Sequence, residues 1–133
     1  MFPLIFPNLF GRSHETRILD DALRSSGLHP RLIPDAVKIT TLKILKEDGK
    51  GEKPCIKSCT FAANMLAYCM LGEQGFYEEH GEAHRALLEK RLQVAIGIED
   101  SLDNRLILLT LHASLTQEAL IVRYNLHVDN VPK

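Results

Sequence analysis

Proline is missing from Cys55 to Val131; the six prolines stand at Pro3, Pro7, Pro30, Pro34, Pro54 and Pro132. One proline in a helix interior costs about 3 kcal/mol. So long a stretch without one, rich in Ala, Leu and Glu, leaves helices free to run. It predicts a compact all-α bundle of five or six helices. An excess of one charge sign is missing too: the net charge is −1. That removes any global argument for nucleic acid or an acidic membrane surface. Residues 1–57 hold ten Lys/Arg against seven Asp/Glu, and residues 58–133 hold six against ten. A solvated surface accounts for a shift of this size.

Cysteine is scarce, and Cys55, Cys59 and Cys69 form no CxxC pair. On one helix Cys55 and Cys59 stand a turn apart, about 6 Å between Cα atoms, a poor geometry for a bridge. They read as reduced, small, buried side chains of a cytoplasmic protein. No apolar run approaches the roughly 20 residues of a spanning helix. The opening MFPLIFPNLF has no basic residue before its apolar part and two prolines inside it, so it fails as a signal peptide. Gly49-Lys50-Gly51 lacks the length and trailing Lys-Ser/Thr of a phosphate loop, and there is no GxSxG or dinucleotide fingerprint.

What is present begins with an arm. Residues 1–12 read as extended, carrying Phe2, Leu4, Ile5, Phe6, Leu9 and Phe10. That is too much apolar surface to leave in water, so the arm packs on its own domain or docks on a partner. Residues 13–133 read as a single helical domain. Ser13 caps a first helix with the stripe Ile18, Leu19, Ala22 and Leu23; Gly27 ends it, with Leu28 placed to touch Leu23. Pro34 opens a second helix bearing Val37, Ile44 and Leu45 and stopped by Gly49, although its β-branched residues also suit a strand. DGKGEKP at 48–54 is a loop. The third helix, about 55–71, is apolar nearly all round and belongs at the centre, with Gly72 and Gly75 bracketing its end. The fourth, about 77–98, sets Ala83, Leu87, Leu88, Leu92, Ala95 and Ile98 against Glu79, Glu82, Glu89, Lys90 and Arg91. Ser101 caps a fifth. Alternation over 109–115 and 122–128 admits an α+β alternative with a hairpin at about 105–128. The spacing of Leu102, Leu106, Leu109 and Ala113, and a fresh helix start at Thr116, favour helices.

Two patterns could carry chemistry. His80 and His84 are four apart, so on one helix both imidazoles face the same way, as in zinc or iron sites. Glu79 or Glu82 would add an oxygen ligand or orient a ring, and a third ligand would come from His112, His127 or Asp100. Gly81 stands where HExxH metalloproteases carry their catalytic Glu. The bland reading is a solvated helix start, and no cofactor is expected. Arg105 and His112 are seven apart and share a helix face. An Arg to steady phosphate charge beside a His to move a proton suits RNA cleavage by internal transesterification. The R-x6-H spacing resembles that of the small all-helical HEPN ribonucleases, and the resemblance implies that activity for this pair.

Cys59 and Cys69 sit in apolar company that disfavours thiolates. The lysines from Lys38 to Lys57 are diluted by Glu47, Asp48 and Glu52, without interleaved aromatics, so nucleic-acid binding is not expected there. With no assembled catalytic set, the leading expectation is an interaction protein rather than an enzyme. It would pair with itself or another protein through the arm (Phe2, Leu4, Phe6, Phe10) and one apolar helix face.

Overall fold

The computed structural model describes residues 14–127. The apolar arm and the Ser13 cap lie outside the described residues. Six α-helices follow one another, with no strand among the described residues: α1 (His14–Ser25), α2 (Asp35–Asp48), α3 (Ile56–His80), α4 (Glu82–Ile96), α5 (Leu102–His112) and α6 (Glu118–Tyr124). A single 3-10 turn, Pro30–Leu32, joins α1 to α2. The all-α bundle expected from the proline pattern is the fold. No described helix is long and apolar enough to cross a membrane.

α3 is the centre, and α1, α2, α4, α5 and α6 all pack on it. Cys59, Ala62, Ala63, Met65, Leu66, Ala67, Tyr68 and Cys69 are shut off from water. Small Ala and Cys side chains let neighbouring backbones come close, and the larger residues fill what remains. α1 buries Leu19, Ala22 and Leu23. Its end follows the sequence: the Leu28 N–H donates to the Leu23 carbonyl at 2.9 Å, and Leu28 is buried. α2 is a helix throughout, burying Val37, Ile44 and Leu45 as its pattern required. It also buries Lys38, whose ammonium stands 3.2 Å from Asp20 and 3.7 Å from Asp35.

The C-terminal hairpin alternative does not form. Ser101 accepts a hydrogen bond from the Asn104 N–H at 3.1 Å and opens α5. α5 buries Leu106, Ile107 and Thr110, and α6 buries Leu120. The alternating residues 109–115 straddle the end of α5 and the turn after it. Packing on α3 selects the 3.6-residue repeat over the two-residue one.

Two expected boundaries need correction. The third helix does not stop at Leu71. It breaks at Gly72 (φ 82°, ψ 176°) and resumes to His80. The break strands two carbonyls, and Gln117 satisfies both: its backbone N–H donates to Cys69 O and its Nε2 to Met70 O, each at 2.9 Å. The fourth helix does not begin near residue 77. Residues 77–80 belong to α3, and Gly81 (φ 88°, ψ 173°) separates it from α4.

Candidate functional site

α4 carries two apolar stripes, not one. Leu88, Leu92 and Ala95 face the core and are buried. Leu87, Val94 and Ile98 lie one residue away on the helical wheel and face outward, 55%, 53% and 50% exposed. The spacing 87, 94, 98, with Arg91 between, continues one line along the helix and into the turn beyond it. The sequence reading merged Leu87 and Ile98 with the core stripe; the structure separates them. Ala83, read as apolar-facing, is exposed as well.

Phe61 of α3 completes a groove with this outward stripe, and Ala95 and Leu102 help to line it, in a volume of about 410 Å³. Phe61 is 43% exposed. Arg91 fixes the wall. Its guanidinium carbon lies 3.6 Å from the Phe61 ring centroid. Its Nε and Nη2 donate to Asp103 of α5 at 3.0 and 2.7 Å, and Nη2 also donates to the Phe61 carbonyl at 3.1 Å. One side chain thus ties three helices together under the groove. Lys90, Ser101 and the Arg91–Asp103 pair complete the lining.

Two other clefts are charged. One, of about 750 Å³, contains Asp20, Asp21, Arg24, Asp35 and Lys38. These groups pair among themselves across its wall, Lys38 with both Asp20 and Asp35 and Arg24 with Asp21. The other, of about 560 Å³, lies between α3, α4 and α6. There Arg85 and Arg123 bridge Glu73 and Glu89, and Tyr68 donates to Glu73 at 3.1 Å. The two arginines hold the Glu89 carboxyl below its usual range, Arg85 more strongly. Sequence inspection placed Glu89 and Arg91 on a plain solvated face. Arg85 is the i, i+4 neighbour of Glu89, but Arg123 and Asp103 lie too far along the chain for helix periodicity to pair them with Glu89 and Arg91.

The histidine pair is drawn together, but across a helix break. Phe76, His80 and His84 form a ring cluster, with centroids 4.3 Å apart for Phe76–His80, 5.1 Å for Phe76–His84 and 4.9 Å for His80–His84. His80 Nε2 lies 2.9 Å from the Ser26 carbonyl. A carbonyl only accepts, so this nitrogen carries the proton. The Glu79 side chain lies against Gly27, and His80 ties the turn that ends α1 to α3. Burial, then the charges of His80 and Arg91, hold the His84 imidazole below its usual pKa. Of the proposed third ligands, His112 is exposed at the end of α5 and Asp100 is exposed in the turn after α4. His127 bonds to Asn125 at 2.7 Å. Among the described residues no three His, Cys, Asp or Glu side chains converge to hold a metal ion.

Arg105 and His112 both lie on α5, two turns apart. Arg105 reaches away to α2, where Nη2 meets Glu47 Oε1 at 2.5 Å. Comparison of the chain with known protein families, characterised proteins and solved structures finds no match.

Proposed function

We propose that this chain is an interaction protein that pairs with a second copy of itself through the outward face of α4. One observation carries the reading: Leu87, Val94, Ile98 and Phe61 line a single groove, each between 43% and 55% exposed. Scattered surface apolar residues need no explanation; four on one groove, underpinned by a half-buried Arg91–Asp103 pair, read as a docking face. The free thiols Cys55, Cys59 and Cys69 support a reducing, cytoplasmic setting.

Magnitudes bound the reading. Fully burying a large apolar side chain contributes about 1.5–3 kcal/mol, so covering the exposed half of four on each of two copies contributes about 6–12 kcal/mol. Association costs about 4–15 kcal/mol in lost freedom. The two grooves together stand near break-even. A second source of apolar burial would add to it, and the arm bearing Phe2, Leu4, Phe6 and Phe10 holds a dense run of large apolar side chains.

The test is mass in solution. Light scattering on the full chain should give twice the 15.0 kDa chain mass. Leu87→Glu with Val94→Glu, both at exposed positions, should give a folded monomer. A wild-type mass of one chain would overturn the reading.

A further inference from the structure

We infer that, in the dimer, residues Phe2–Phe10 of one copy seat in the groove between Phe61, Leu87, Val94 and Ile98 of the other. This rests on the self-association proposed above. It names the part of the second copy that fills the face.

The argument starts from area. A stable interface buries about 800 Å² per partner, and four half-covered side chains fall well short. Three phenylalanines carry about 150–250 Å² each, so Phe2, Phe6 and Phe10 make up most of the deficit. The chain outside the described residues offers no other source. Residues 128–133 read VDNVPK, with two valines against two charged residues and an asparagine.

Length fits next. Leu87 and Val94 are seven residues apart, about 10 Å along the axis of α4 at 1.5 Å per residue, and Ile98 lies in the turn beyond. Pro3 and Pro7 favour extended backbone at themselves and at Phe2 and Phe6. Nine extended residues at about 3.1 Å each span roughly 28 Å, enough to lie along the whole groove.

Self-association selects the partner's arm over the chain's own. An arm seated on its own groove would cover the face through which the copies pair, whereas an arm seated on the partner's groove joins them. Exchange of two arms is self-complementary, as a two-fold dimer requires.

Cysteine pairing tests this on full-length protein in a Cys55→Ser background, which removes the exposed thiol. One preparation carries Phe6→Cys and another, of different tag length, carries Val94→Cys. Mixing and mild oxidation should yield a covalent heterodimer bridging the two chains. Deleting residues 2–10 should shift wild-type protein to a monomer without loss of helix content. A bridge that forms only within one chain carrying both cysteines would overturn the exchange. So would a dimer that survives the deletion yet is broken by Leu87→Glu with Val94→Glu; in that case self-association through α4 stands and the arm is dismissed. A monomeric wild type removes both.

Discussion

Gly72→Ala should be among the most damaging single-methyl additions in this protein. At φ 82°, ψ 176° the backbone occupies a region that essentially only glycine tolerates, and holding another residue there costs roughly 1–3 kcal/mol. The new methyl would stand 3.1 Å from Gln117 Cγ and 3.4 Å from its Cβ. Gln117 cannot give way freely, because its two hydrogen bonds to Cys69 O and Met70 O hold it, each worth about 0.5–1.5 kcal/mol. Together these predict a loss of about 2–4 kcal/mol. Alanine's helix propensity would return about 1 kcal/mol only if α3 straightened, which would pull both carbonyls away from Gln117. For 133 residues each kcal/mol moves the melting midpoint by roughly 3–5 °C, so a drop on the order of 10 °C is expected. Gly81 is the control. Its backbone is similar (φ 88°, ψ 173°), but an added methyl meets no atom within 4 Å. Urea unfolding followed by dichroism should therefore rank Gly72→Ala below Gly81→Ala, and Gln117→Ala should narrow the gap. Equal losses for the two glycines, or a Gly72→Ala protein as stable as wild type, would refute the reasoning.

Two further outcomes follow from the titrating groups. Cys55 is exposed at the start of α3, and the Ser58 backbone N–H, then the Ser58 hydroxyl, hold its thiol below the usual range. Burial pushes Cys59 up to about 11 and Cys69 up to about 12. Iodoacetamide should label Cys55 first in the native protein, and equal labelling of all three in mass spectra would contradict the burial described. His84 has a folded-state pKa below the 6.5 usual for histidine. The unfolded chain therefore binds the proton first as pH falls. The stability it contributes is present above that value and is lost as pH drops toward the folded pKa, with a slope of at most about 1.4 kcal/mol per pH unit. Urea midpoints at pH 7 and pH 5 should differ less in His84→Gln than in wild type; an unchanged difference would remove His84 from the acid response.

The parts legible in the sequence were those decided locally. The apolar run from Cys59 to Cys69 announced a central helix because nearly every face of it had to be covered. Gly27 with Leu28, Ser101 with Asp103, and Pro34 mark helix ends whose signals lie within a few residues. Gly72 reads in the sequence as the end of the central helix. The resumption of the helix through Gly75 to His80 is not legible there, because Glu73–Glu79 looks like the polar start of a new element. The candidate site was half visible. Leu87 and Ile98 were seen as apolar, but which side of α4 they occupy depends on where α3 and α5 pack. Arg91 looked solvated because its carboxylate, Asp103, and its aromatic platform, Phe61, stand 12 and 30 residues away. Periodicity within one helix carries no information on such pairings.

The seam where Gln117 meets α3 also bears on the order in which this molecule is made. A ribosome delivers Cys69 and Met70 long before Gln117, so a nascent chain holding α1 through α5 has a central rod with two bare carbonyls at its bend. The residue that closes them arrives 47 positions after Met70, together with Leu120, which plugs the core beside it. The spine of this bundle is therefore finished from outside itself, and the bend cannot close until the start of α6 has left the ribosome.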